Sequence, residues 1–140
     1  VWFIPAAHEE LDFDETGASW YLGYVIHSSG VSLFHMGDGQ PWPGWHSAIK
    51  KAVARISSSD ELDIALLCIN GNDNLSHQQA VDLVEKVRPR AVIPMHYGMD
   101  PGNTVDPEIF VEEIEQRAPS QSFIIAKVGE KISYSNGGIL

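Results

Sequence analysis

The feature that most constrains the fold is an alternation of amphipathic helices with short apolar strands. Apolar residues over 45–56 recur at the spacing of one helix face, which predicts a first helix. A capping box formed by Ser76 and Gln79 predicts the start of a second helix. Asp106, followed by a proline, predicts the start of a third, which runs to about Arg117. Strands separate these helices, so the sequence predicts an α/β domain with a mostly buried sheet.

Runs of β-forming residues supply the rest of the predicted sheet. Residues 20–27 and 31–36 are separated by Ser28-Ser29-Gly30, which predicts a hairpin. The other predicted strands lie at 1–6, 63–69 and 91–95, with a closing hairpin of 122–128 and 131–134. The helices are enough to cover one or two faces of this sheet. Because the chain begins with strand residues at Val1, we expect a preceding part of the protein to cover the remainder.

Charge and cysteine content exclude several classes of function. The 140 residues include 9 Lys plus Arg and 19 Asp plus Glu, a formal net charge of −10. This balance disfavours nucleic acid and anionic membranes as partners, since both require a basic surface. The single cysteine, Cys68, excludes an internal disulfide and lies in an apolar run, which predicts a buried packing residue. With no apolar stretch of roughly 18 residues and no signal peptide pattern, we expect a cytoplasmic protein.

Side chains able to bind a metal stand where three predicted strands end. His8 follows the first strand, Asp38 follows the third, and His96 follows the strand at 91–95. Loops at strand ends are where α/β folds build their sites. Taken singly, Asp38 between glycines also fits a turn, and each histidine also fits a surface or core position. Only the fold can show whether the three meet.

Together these stretches resemble the C-terminal half of the metallo-β-lactamase superfamily, and within it the L-ascorbate-6-phosphate lactonase group. The similar segments, in the family's order, are Pro5-Ala6-Ala7-His8-Glu9-Glu10-Leu11, Tyr21-Leu22-Gly23-Tyr24-Val25-Ile26, His35-Met36-Gly37-Asp38, Asp63-Ile64-Ala65-Leu66-Leu67, Ile69-Asn70-Gly71 and Val92-Ile93-Pro94-Met95-His96-Tyr97-Gly98. The resemblance implies that residues 1–140 form a single domain, the C-terminal half of an αββα sandwich. The family's His-x-His-x-Asp-His motif, carried on the N-terminal half, is absent.

The resemblance also implies roles for individual residues. His8 and His96 correspond to metal-ligand histidines, and Asp38 corresponds to a catalytic aspartate that bridges two metal ions. The implied cofactor is a divalent metal, Zn or Mn, with two ions in the complete site. The implied reaction is hydrolysis of a lactone, a small-molecule substrate, by a metal-activated hydroxide. Since the motif of the other half is absent, we expect this chain alone to be inactive.

Four further residues are candidates for contacts with substrate or with the ligand side chains: Glu10, His35, Asn70 and Tyr97. Each also has a structural interpretation, such as a solvated loop acid for Glu10 and packing for Tyr97. The lactonase group commonly carries an arginine after the Asn-Gly pair, where this chain has Asn72. The change removes a charged donor suited to phosphate.

Three functions therefore stay open at this stage. The first is a lactonase-like metal-dependent hydrolase. The second is a phosphodiesterase or another ester hydrolase of the same superfamily, since the same hydroxide serves all three reactions. The third is a catalytically incomplete fragment that associates with itself through its exposed sheet face, as a homo-oligomer.

Overall fold

The computed structural model describes residues 1–98, 100–135 and 138–139 of the chain, and its main sheet has six strands. They lie side by side in chain order: β1 (Trp2–Pro5), β2 (Leu22–Ser28), β3 (Val31–His35), β4 (Ile64–Cys68), β5 (Ala91–Met95) and β6 (Ser122–Phe123). β2 is antiparallel to both of its neighbours, and β3 to β6 are parallel to one another. The carboxyl ends of β1, β3, β4 and β5 consequently lie along one edge of the sheet.

Three helices connect the parallel strands, with the predicted starts and ends: α1 (Trp45–Ile56), α2 (His77–Val87) and α3 (Pro107–Arg117). The capping box is confirmed, since Gln79 N–H donates to Ser76 Oγ at 3.3 Å and Ser76 N–H donates to Gln79 Oε1 at 3.0 Å. Asp106 caps α3 by accepting the Glu108 N–H at 3.1 Å. None of the described helices is long and apolar enough to cross a bilayer.

The hydrophobic core lies on one face of the sheet. Alternate strand residues contribute to it, namely Ile4, Val25, Phe34, Ala65, Leu67 and Val92. All three helices contribute to the same core, through Ile49 and Val53 of α1, Val81 and Val84 of α2, and Phe110 and Ile114 of α3. The mixed α/β architecture expected from the sequence is confirmed.

The opposite face of the sheet, which we call the open face, carries apolar side chains outside this core. Its residues alternate with those of the core and pair across neighbouring strands: Phe3, Tyr24, Ile26, Leu33, Leu66 and Ile93. Phe3 is 57% exposed and Ile26 is 38% exposed. Val25, which lies between Tyr24 and Ile26 on β2 and belongs to the core face, is fully buried. The expectation of a mostly buried sheet therefore holds for β3, β4 and β5, which have no exposed residue, whereas the open face is exposed along β1 and β2.

The C-terminal segment differs from its prediction. The expected hairpin of 122–128 with 131–134 is wrong, because the first of these segments pairs with β5 instead: Ile124 N–H donates to Val92 O at 3.0 Å, extending the parallel ladder of β6. The predicted turn does form, with Glu130 N–H donating to Lys127 O at 2.9 Å. After it, β7 (Tyr134–Ser135) pairs with β8 (Gly138–Ile139) in a separate two-stranded sheet.

Two adjacent leucines of β4 test which face holds the core. Leu67 is 1% exposed and lies beside Phe34 and Ile49, so Leu67→Ala should lower the free energy of unfolding by about 2–5 kcal/mol. Leu66 lies half-buried on the open face, so Leu66→Ala should cost clearly less in the 140-residue chain. Urea unfolding of both variants measures the difference. Equal losses would contradict the assignment of the two faces.

Candidate metal centre

Sheet topology, not sequence spacing, brings the predicted site residues to one edge. His8 lies three residues after β1, Asp38 three residues after β3, and His96 directly after β5. Asn70 lies two residues after β4. Because these four strands run in the same direction, their carboxyl ends, and the residues that follow them, share that edge.

Asp38 and His96 contact each other at this edge. Asp38 Oδ1 lies 3.3 Å from His96 Nε2, and the side chains are 55% and 37% exposed. His96 adopts φ 66°, a left-handed conformation that residues other than glycine rarely adopt. Strained backbone of this kind is concentrated at functional sites. The pair offers a carboxylate oxygen and an imidazole nitrogen, which are ligands that zinc and related divalent ions accept.

The loop that carries Asp38 is held by hydrogen bonds to both backbone polar groups of Gly37. Gly37 N–H donates to His35 Nδ1 at 3.0 Å, and the Cys68 thiol donates to Gly37 O at 3.3 Å. Gly37 has φ 72°, and a Cβ at this position would lie 3.1 Å from Leu22 O. Glycine is therefore required here both for the conformation and for the close approach of β2.

The Cys68 thiol acts in this loop as a neutral donor. Burial, followed by the negative charge of Asp38, raises the pKa of Cys68 to about 12. A thiol with that pKa stays protonated at neutral pH, so it is neither a nucleophile nor a ready metal ligand. The prediction that Cys68 is a buried packing residue is confirmed.

The backbone before His8 lies next to the Asp38 loop. Ala7 O accepts the Gln40 N–H at 2.7 Å, so the segment after β1 runs beside the segment that follows Asp38. The His8 imidazole instead stacks on Tyr21, with ring centroids 5.4 Å apart. In residues 1–98, 100–135 and 138–139, no group of three or more His, Cys, Asp or Glu side chains is arranged to hold a metal ion. The structure thus brings two of the three predicted ligands together, and the segment that carries the third runs beside the Asp38 loop.

Glu10 lines a shallow concavity together with Glu9, Asp12, His8 and Tyr21. Glu10 is exposed, and no hydrogen bond joins it to an imidazole among the described residues. Its role toward a ligand stays a prediction.

Two of the predicted supporting residues are engaged within the chain. The Tyr97 hydroxyl donates to Ala126 O at 3.1 Å, and its ring packs against the core, which favours the structural interpretation over a contact with substrate. Asn70 Nδ2 donates to Asn103 Oδ1. Asn70 Oδ1 is buried and has no hydrogen-bond partner among the described residues, which leaves an acceptor near the site edge.

Asn74 is a site residue that sequence reasoning missed. It is 6% exposed, and its Nδ2 donates to Asp38 Oδ1 at 2.9 Å. Its own Oδ1 accepts the Gly71 N–H at 3.2 Å. In the sequence, an asparagine in the polar run 70–74 is typical of a turn, so nothing local distinguishes it.

The comparisons with known proteins agree on one family. Residues 4–96 match a family model described as "Beta-lactamase superfamily domain". The chain is 33% identical over 103 residues to a UPF0173 metal-dependent hydrolase of Natranaerobius thermophilus, and this match covers 74% of the chain and 43% of the relative. It is 30% identical to a metal-dependent hydrolase of Pyrococcus furiosus, covering 92% of the chain and 52% of that protein.

A solved structure shows the same fold. Igni18, described as a novel metallo hydrolase from Ignicoccus hospitalis, superposes with a TM-score of 0.66 at 25% identity, covering 91% of this chain and 49% of its own. The chain therefore spans about half the length of the relatives it matches.

His35 provides a test of the loop by its pH dependence. Burial lowers the pKa of His35, and its neutral Nδ1 accepts the Gly37 N–H. The unfolded chain therefore binds the proton more readily than the folded chain. The free energy of folding that the neutral imidazole contributes is fully present above about pH 6.5. It is lost as the pH falls from there through the lower pKa of the folded state. His35→Asn, which keeps an oxygen acceptor but does not titrate, should lose less stability than the wild type between about pH 7 and about pH 5. Urea unfolding across that range measures this, and identical pH slopes would contradict it.

Proposed function

Because the chain belongs to the metallo-β-lactamase superfamily, we propose that it forms part of a metal-dependent hydrolase whose metal is held at the edge carrying Asp38 and His96. The observation that carries the proposal is the 3.3 Å contact between Asp38 Oδ1 and His96 Nε2. His8, whose backbone runs beside the Asp38 loop, is proposed as a third ligand. The chemistry of this donor set fits Zn or Mn.

The residues of this chain then have separate tasks. Asp38 and His96 would hold the ion, and the two oxygens of the Asp38 carboxylate would suit it to a site of two ions. Gly37, His35 and Cys68 hold the loop in place through the hydrogen bonds at Gly37. A divalent ion bound here supplies the Lewis acid and the water of lowered pKa that hydrolysis at neutral pH requires.

For the substrate we propose a lactone, of the type cleaved by the L-ascorbate-6-phosphate lactonase group. The support is the resemblance of the segments 69–71 and 92–98 to that group. Asn72 replaces the arginine that is common there, so the phosphate is the part of that substrate with the least support. A phosphodiester or another ester is the alternative, and a panel of lactone, ester and phosphodiester substrates separates the three.

We also propose that a second half-domain covers the open face and completes the metal shell. Two observations support this: the open face exposes apolar side chains, and the relatives are about twice as long as this chain. The second half would bring the His-x-His-x-Asp-His motif. Without it, the 140-residue chain should bind metal weakly, hydrolyse nothing and associate with itself.

Asp38 is the residue whose loss should stop the reaction. Asp38→Ala in the intact natural protein removes the carboxylate at the proposed centre, so Zn or Mn binding measured by calorimetry should fall below detection, and turnover with it. Asp60→Ala is the control, because Asp60 is an exposed loop acid that follows α1, away from this edge. Removing metal with a chelator should abolish turnover reversibly. Near-normal turnover of Asp38→Ala would refute the proposed function.

Two isoleucines of similar exposure test the open face. Ile26 lies on it and is 38% exposed, whereas Ile109 lies on α3 and is 41% exposed. Placing a charge on the open face should prevent association, so Ile26→Lys should shift the 140-residue chain from dimers or larger species to a monomer. Ile109→Lys should leave association unchanged. Light scattering after size-exclusion chromatography measures both, and a wild-type chain that is already monomeric would contradict the prediction.

A further inference from the structure

We infer that Asn74 is a positioning residue, which holds the Asp38 carboxylate in the orientation that meets His96. The inference deepens the proposed function, and its consequence for metal binding rests on that function. Asn74 lies on the loop between β4 and α2, whereas Asp38 follows β3 and His96 follows β5. The loop therefore reaches across from the strand that lies between the two ligand-bearing strands.

The orientation of the Asn74 amide is determined by its two partners. Gly71 N–H is a donor only, so the atom it meets at 3.2 Å must be the amide oxygen. The amide NH₂ then faces Asp38 Oδ1, which as a carboxylate oxygen accepts at 2.9 Å. Exchanging the two amide atoms would set donor against donor at Gly71 and acceptor against acceptor at Asp38. The bond to Asp38 is thus specific in direction.

The loop gives Asn74 a rigid base from which to act. Asn74 is 6% exposed and the next residue, Leu75, is fully buried. Gly71 N–H also donates to Leu75 O at 2.9 Å, which closes the loop. Directly after Leu75, Ser76 caps α2. Asn74 is therefore held between a closed loop and a helix start.

Asp38, by contrast, has a side chain that is 55% exposed and free to rotate unless something holds it. One N–H from Asn74 occupies a single lone pair of Oδ1. The other close contact of Oδ1 is His96 Nε2 at 3.3 Å, and the lone pairs of Oδ2 stay available, since no other hydrogen bond to this carboxylate occurs among the described residues. Asn74 can therefore orient the carboxylate without using up its capacity to bind a cation.

The test compares two asparagines of the same loop in the intact natural protein. Asn74→Ala should weaken binding of Zn or Mn, titrated alone, by about 10- to 100-fold, the range seen when a partner of a metal ligand is removed. Asn72→Ala, at an exposed position that makes no side-chain hydrogen bond among the described residues, should leave the affinity unchanged. Equal affinities of the two variants would overturn the inference. If Asn74→Ala fails to fold, Asn74→Ser replaces it, because the shorter hydroxyl cannot span both Gly71 and Asp38.

A second readout does not depend on metal. In the metal-free protein, Tm is measured for Asp38→Ala, Asn74→Ala and the double variant. If the amide holds the carboxylate, the double variant should lose less Tm than the sum of the single losses, since both remove the same bond. Additive losses would overturn the inference. A wild type that binds neither metal refutes the proposed function, and the double-variant cycle then decides the role of Asn74 by itself.

Discussion

The parallel alignment of β3, β4 and β5 is the constraint on which the candidate site depends. Each of these strands ends at the same edge, and β1 ends there too because the single antiparallel strand β2 restores the original direction. Residues separated by 58 positions, Asp38 and His96, come within 3.3 Å only through this arrangement. The pairing of Leu33 with Ile64 and of Ile64 with Ala91 sets the register on which the contact depends.

Local chemistry determined what could be predicted from sequence. The capping box of Ser76 and the Asp106-Pro107 pair act over a few residues, and the helices they predict begin where expected. The prediction of a closing hairpin was wrong because residues 122–124 pair with β5, some thirty positions away. The residues of a local turn do not indicate such a distant partner. Asp38 and His96 were predicted from strand ends and from a family resemblance. Asn74 was not, because its role is created by a tertiary contact across 36 residues.

The same distinction separates the two faces of the sheet. The run of β-forming residues in β2 predicts a strand. Val25 and Ile26 are both apolar, however, so the sequence alone does not indicate that Val25 is fully buried and Ile26 is 38% exposed. Three helices are enough to cover one face of a six-stranded sheet. The Asp38 loop is joined to that face through His35, which pairs with Tyr24 and Leu66 on it and accepts the Gly37 N–H. A partner that covers the open face, as proposed above, would therefore come close to the residue that holds this loop.

The groups that hold the Asp38 loop share one electrostatic property: all of them are neutral. The Asn74 amide donates to the carboxylate, the protonated Cys68 thiol donates to Gly37 O, and a His35 imidazole whose pKa is lowered by burial accepts the Gly37 N–H. A lysine or arginine in the place of Asn74 would orient Asp38 equally well. It would also neutralise the carboxylate and repel a divalent cation. Neutral donors fix the geometry while the charge of Asp38 stays available, which is the arrangement that a cation-binding carboxylate requires.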